Sequence, residues 1–339
     1  MGRFASPHPV LNYRGEPRKV GVELEFGGVS LQTAAEAVRE AFGGEVKQDH
    51  EHRYTVATSL GEFEVTFDSS LLSHKKYESL TERFGLGEQI KEAIERVLRG
   101  IGDAILPLEV STPPIPATRL DELNRLEEAL RKRDTEGTRA GLFYAFALHF
   151  NPEAPDPANP VEVVRAFLLL YHWLFRQEKI DTTRRLLPFF DPFPEDYSRL
   201  VIDPNYAPEI RRFTEDYLAH NPTRNRPLDL LPLLAFNDPD VTKRPELEGE
   251  KIRPRPTFHY RLPNSLIDES DWSISEEWGR WVLIERLAGL PDWMRDFSHT
   301  YLNWEDSIAG YLSDRWFRYV DEHWLPRLRD EPLVASLTP

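Results

Sequence analysis

Residues 19–28 read "KVGVELEFGG", a run that suits one β-strand with two unlike faces. Val20, Val22, Leu24 and Phe26 fall on one side. Glu23 and Glu25 fall on the other, because side chains in a strand alternate, and their Cα atoms then stand only about 7 Å apart. Two carboxylates that close repel unless a positive charge lies between them. A strand that keeps both is a candidate for holding a cation.

The same alternation recurs downstream. Glu62 and Glu64 share a face in "EFEVTF", as do Glu109 and Ser111 in "LEVS", His149 and Asn151 in "LHFN", and His259 and Arg261 in "HYRL". The residues between them are apolar. Taken singly, an E-x-E pair is the solvated face of an amphipathic strand, and a lone histidine in an apolar strand is a hydrogen-bonded core residue. Five strands with one pattern point further: in one sheet they would gather carboxylates, imidazoles and a guanidinium on a single face. Such a set suits a hard divalent cation, Mg²⁺ or Mn²⁺, with an arginine over a phosphate that the cation bridges.

Composition narrows the classes. With 339 residues, 40% of them hydrophobic, the chain can bury a substantial core. Its formal charge of −15 argues against nucleic acid or an anionic membrane held by bulk charge. The absence of cysteine removes disulfides, thiolate metal sites and cysteine nucleophiles. Prolines and charges fill the first twenty residues where a signal peptide needs an apolar stretch, and no run has the length of a membrane span, so a cytoplasmic location is expected.

Along the chain, residues 1–18 read as an irregular arm. After the first strand, Ser30 caps a helix in "SLQTAAEAVREAF" that ends at Gly43-Gly44. "EVKQ", "RYTVAT" and "GEFEVTF" read as strands, the last two joined by a turn. A charged helix is predicted through "GEQIKEAIERVLRG", a strand in "ILPLEVSTPP" up to its prolines, and a solvent-facing helix in "RLDELNRLEEALRKR". "GLFYAFALHFN" is the most apolar strand, "PVEVVRAFLLLYHWLF" a helix, and "PTFHYRL", near 256–262, one late strand before a helical, tryptophan-rich end. The tryptophans sit mostly at helical spacing, which favours core packing over base stacking.

"VGVELEF", "FDSSLL", "LPLEVSTPPIP", "AFALHFNPE", "NPTRNRPLDLLP" and "RPTFHYRLPNSLID", in that order, resemble the bacterial amidoligase branch of the glutamine synthetase and γ-glutamylcysteine ligase superfamily over roughly residues 18–285. The resemblance implies an α+β fold. Its curved, largely antiparallel sheet would form a catalytic funnel, with helices behind and a helical C-terminal region. It divides the chain into an arm (1–18), a ligase domain (19–285) with a helical insertion near 160–250, and an extension (286–339).

The activity it implies is an ATP- and Mg²⁺-dependent (or Mn²⁺-dependent) ligase joining a carboxylate to an amine through an acyl phosphate. Glu23 and Glu25 would divide between two metal sites, Glu109 and Glu64 would complete the site of Glu25, and His149 would join Glu23 at the ion bridging the ATP phosphates. Arg261 would act on the transferring phosphoryl group. The family's late strand normally reads E-x-R, and here His259 stands in place of that glutamate, which changes the number or identity of the metals. The partners implied are a small-molecule or peptide carboxylate and an amine, and a homo-oligomer remains open.

Arg253 and Arg255, in a locally basic "EKIRPRPTFHYR", suit a triphosphate, and Arg224 and Arg226 in "TRNR" suit carboxylate or phosphate recognition. A competing reading has the latter two capping the preceding helix and pairing with Asp229. No Walker A loop, dinucleotide fingerprint or nucleophile elbow occurs, so nucleotide binding would rest on metals and arginines. The alternatives are a metal-dependent hydrolase without ATP use and a binding protein of the same fold whose site has decayed.

Overall fold

The computed structural model describes residues 2–67, 108–138, 146–177, 191–305 and 314–330. Within them an α+β architecture is built on one open, antiparallel sheet. In chain order its strands are β1 (Lys19–Phe26), β2 (Glu45–His50), β3 (Arg53–Thr58), β4 (Gly61–Phe67), β5 (Leu108–Ser111), β6 (Ile115–Pro116), β7 (Leu148–Pro152), β8 (Leu228–Asp229) and β9 (His259–Tyr260). They lie in the order β2-β3-β4-β5-β1-β7-β9-β8, with β6 also pairing β1. The five strands carrying the polar alternation are therefore consecutive neighbours, β4-β5-β1-β7-β9.

Register turns this order into a face. Glu64 pairs with Ser111, Ser111 with Glu23, and Glu23 with His149, a row across four strands. One step along, Glu25 pairs with Glu109. On the other face Val20, Val22, Leu24, Phe63, Val65, Val110, Leu148 and Phe150 are buried. Helix α1 (Leu31–Phe42) packs on β3 and β4. Ser30 caps it by accepting from the Thr33 amide, as expected. Gly44 follows at φ +96°, where an added Cβ would lie 2.0 Å from the Ala57 carbonyl oxygen, so only glycine fits this entry into β2.

Two expectations are corrected. The segment "RLDELNRLEEALRKR" is not solvent-facing: a 3₁₀ turn (Ala117–Glu122) leads into α2 (Leu123–Arg131), and Leu120, Leu123, Leu126 and Leu130 form a buried stripe. The late strand is two residues long, because prolines at 256 and 263 cannot donate to a ladder. Its backbone still follows β7 irregularly, with the Phe258 amide donating to Pro152 O and the Leu148 amide to Pro263 O. The short strands β6 and β8 were not foreseen. The predicted helix in "GEQIKEAIERVLRG" and the start of "GLFYAFALHFN" lie outside the described residues.

The later helices are α3 (Val161–Gln177), α4 (Glu195–Ile202), α5 (Ile210–His220), α6 (Leu231–Asn237), α7 (Ile274–Ala288), α8 (Pro291–Glu305), α9 (Asp314–Tyr319) and α10 (Leu325–Asp330). Helix α7 packs on α3. Trp278, Trp281 and Trp316 are fully buried, so these tryptophans serve the core. Among the described residues no helix is long and apolar enough to cross a membrane.

The arm is anchored. Arg18 and Glu285 form a buried ion pair, with side chains 1% and 0% exposed. Arg18 also donates to Glu153 O (2.7 Å) and Pro9 O (3.0 Å), while Glu285 accepts from Trp281 Nε1 (2.7 Å) and the His8 amide (3.1 Å). Removing one partner strands a buried charge, which costs about 3–5 kcal/mol. Glu285→Ala is expected to lose stability of that order in urea unfolding, and Arg18→Met with Glu285→Leu to recover part of it. A single-variant loss under about 1 kcal/mol would show that the pair contributes little.

Candidate functional site

The polar face brings Glu23, His149 and His259 together, with one ligand atom from each lying within 4.8 Å of the others. Glu23 Oε2 is 3.2 Å from His149 Nδ1, and Glu23 Oε1 accepts from Asn151 Nδ2 at 2.9 Å. Asn151 Oδ1 in turn faces His259 Nδ1 at 2.9 Å and Arg255 Nη2 at 3.4 Å. The two imidazoles meet edge to face, centroids 5.2 Å apart. Glu25 lies beside this group: its Oε1 is 3.8 Å from His149 Nε2, and its Oε2 accepts from the Ala147 amide at 2.8 Å.

A cleft of about 610 Å³ opens over one end of the cluster. Glu23, Ser111 and Asn151 form its floor, Glu62 and Glu64 one side, and Arg253 and Arg255 the other. Arg255 Nε is buried with no hydrogen-bond partner among the described residues. A half-buried guanidinium with a spare donor beside an acidic floor suits an anion bridged to a cation.

The electrostatics follow from burial and pairing. Burial by itself would raise the Glu23 carboxyl. The hydrogen bond to His149 and the charges of His259, His149 and Arg255 outweigh it and hold the group well below the usual carboxylate range. Burial pushes His259 well below its ordinary value, against the opposing pull of Glu23. An imidazole kept neutral cannot also lend Glu23 a positive charge. Desolvation decides the state of His259, which leaves His149 and Arg255 as the partners that hold Glu23 down.

The other expected site residues are spread more widely. Glu109 is the register partner of Glu25 and accepts from Ser111 Oγ at 2.5 Å. Glu64 is half exposed and paired with Arg53 at 2.9 Å, at the cleft wall and outside the three-residue cluster. Arg261 is half-buried and does not line the cleft, and its Nη1 donates to Arg224 O at 2.8 Å. Burial lowers its pKa, against the charges of Asp229, Glu25 and Glu23.

Arg224 and Arg226 do not line the cleft, and they divide the competing reading between them, Arg224 pairing with Asp229 and Arg226 capping the helix. Arg224 pairs with the fully buried Asp229 at 3.0 Å and donates to Lys251 O. Arg226 donates to His220 O at the end of α5 and to Pro192 O, with its guanidinium 5.9 Å from the Phe193 ring centroid. Asn151, joining Glu23 to His259, is the site residue that sequence reasoning left without a role. Its signal was the H-x-N alternation itself.

Fold and site together define an α+β protein that carries a cation-type donor cluster on the polar face of an open antiparallel sheet. The family model described as "Putative amidoligase enzyme" matches residues 16–283, and the chain belongs to that amidoligase family, enzymes of ligase type. No match was found among curated proteins or among solved structures.

A stability test follows from His259. Unfolded, its imidazole takes up a proton near its ordinary value of about 6.5; folded, it resists until far lower pH. The unfolded state therefore binds more protons below that value, and metal-free protein should lose stability as pH falls through about 6.5. The urea midpoint is expected to drop more between about pH 7.5 and about pH 5.5 in wild type than in His259→Gln. Equal drops would show that the folded imidazole is already charged.

Proposed function

We propose that this protein is an ATP-dependent carboxylate–amine ligase whose catalytic funnel is the polar face of the sheet. The observation that carries this reading is that Glu23, which belongs to a two-imidazole, one-carboxylate cluster, also lines a cleft with Arg253 and Arg255, in a chain of the amidoligase family. Glu23, His149 and His259 would hold a divalent cation, Mg²⁺ or Mn²⁺, with Glu25 and Glu109 on the same face. That ion, when bound, supplies charge neutralisation for the triphosphate.

The chain's own groups position the reactants. Arg255 and Arg253 hold phosphate oxygens at the cleft wall, and Arg261 stabilises charge on the phosphoryl group in flight. A carboxylate oxygen of the first substrate attacks the γ-phosphorus; the bond to the bridging oxygen breaks and ADP leaves. The amine then attacks the acyl carbon, phosphate departs, and the nitrogen loses a proton. Glu62 and Glu64, on the acidic wall, suit the amine as its ammonium form, which gives up one proton before it attacks.

A second reading has its own observation. One carboxylate and two imidazoles are also the ligand set of zinc hydrolases, so a metal-dependent hydrolase is the competing function. ADP release that requires both an added carboxylate and an added amine separates the two. Glu23→Ala and Glu25→Ala are each expected to abolish the melting-temperature rise that Mg·ATP gives wild type, while their folds persist. Retention of the full rise in both would remove these residues from nucleotide binding.

Arg261→Lys keeps the charge and loses the fork geometry. Its turnover is expected to fall about a hundredfold with a far smaller change in KM for ATP. A weakened KM with normal turnover at saturation would assign Arg261 to ground-state binding instead.

A further inference from the structure

We propose that the Glu23–His149–His259 cluster selects a borderline transition ion of the Mn²⁺, Co²⁺ or Zn²⁺ kind over Mg²⁺, and that Asn151 is the positioning residue that prepares it. The proposal rests on reading these residues as a cation site and does not depend on the ligase reaction.

Two of the three donors are nitrogen. Mg²⁺ takes oxygen ligands in near-ideal octahedra, usually one or two carboxylates plus waters, and imidazole is a poor substitute. Imidazole suits the later first-row ions, whose affinity for such donors rises from Mn²⁺ through Co²⁺. The donor atoms lie within 4.8 Å of one another. Two metal–ligand bonds of about 2.1 Å span at most about 4.2 Å, and about 3.4 Å at a tetrahedral angle, so the side chains must rotate inward by about an ångström to close on one ion. The fourth neighbour, Glu25, is 3.8 Å from His149 Nε2 and can add one oxygen without changing the nitrogen-rich character.

Asn151 fixes which nitrogen His259 presents. Glu23 at neutral pH is an acceptor only, so the Asn151 atom 2.9 Å from it must be the amide nitrogen. Arg255 is a donor only, so the Asn151 atom it approaches at 3.4 Å must be the oxygen. Both constraints agree. The oxygen is also the atom 2.9 Å from His259 Nδ1, which therefore carries the hydrogen and donates. Nε2 is left with its lone pair. An outer group that sets the tautomer of one ligand and orients another is the usual second partner of a metal-binding histidine, and its loss costs about 10–100-fold in affinity.

The test uses full-length protein stripped with chelator and without nucleotide. Co²⁺ is titrated by its visible absorption and Mn²⁺ by electron paramagnetic resonance, and Mg²⁺ is measured by competition against each. Wild type is expected to bind Co²⁺ at least about a hundredfold more tightly than Mg²⁺, with Mn²⁺ between them. His259→Glu should narrow that ratio at least about tenfold and alter the Co²⁺ spectrum. Asn151→Ala should weaken Co²⁺ about 10–100-fold.

Nitrogen-15 resonance of the imidazoles in the metal-free wild type is expected to show His259 with Nδ1 protonated and Nε2 bare, a preference lost in Asn151→Ala. This readout and the wild-type competition stand even where a variant fails to fold. Equal affinities for Co²⁺ and Mg²⁺, or a ratio unchanged in His259→Glu, would overturn the selection while leaving a cation site in place. A proton on Nε2 would overturn the role of Asn151. No uptake of any ion would overturn the cation reading itself, whatever the outcome of the ADP assay.

Discussion

The register of β1 between β5 and β7 is the constraint on which the rest depends. Because side chains alternate with a period of two, a slip of one residue would carry Glu23 and Glu25 into the core and Val22 and Leu24 onto the polar face. The hydrophobic set on β1 prevents this: Val20, Val22, Leu24 and Phe26 are each 2% exposed or less. Burying them fixes where the carboxylates point. Glu23 then faces Ser111 on one side and His149 on the other, and Glu25 faces Glu109. The chemistry of the polar face is thus specified by the packing of the apolar one.

Electrostatics on that face are settled locally rather than by the net charge of the chain. Glu23 is compensated by one histidine, one amide and the nearby Arg255, all supplied from β7 and the segment leading into β9. The second basic group, Arg224 and Arg226, is consumed in holding the loop before β8: one pairs with buried Asp229 and the other closes the end of α5. The two basic segments thereby differ in place, Arg253 and Arg255 lining the cleft and Arg224 and Arg226 lying outside it.

Much of this was legible beforehand, for reasons that differ by element. Strands β3 and β4 and helix α1 were read to within a residue because alternation, a serine cap and a glycine stop all agree there. The five polar pairs were legible because each is local. What joins them is not: that β5 and β7 flank β1, and that Asn151 bridges Glu23 to His259, are facts of long-range pairing that no local pattern encodes. On α2 the leucine spacing is legible in the sequence, but charged residues dominate the composition and hide that this spacing turns one face into the core. The short β9 was overestimated because alternation continues through prolines that end the ladder.

The cluster also records the history of the chain. Glu23 meets His149 across 126 residues of sequence, and Asn151 meets His259 across another 108. Contacts of such separation form only after large loops have closed, and that entropy is lost before the contacts return anything. Helix α1 with β2, β3 and β4 can assemble from neighbouring sequence; the cluster cannot. It comes into being only when both ends of the amidoligase segment have found the central strand, so a chain arrested halfway would hold much of its secondary structure and none of its chemistry.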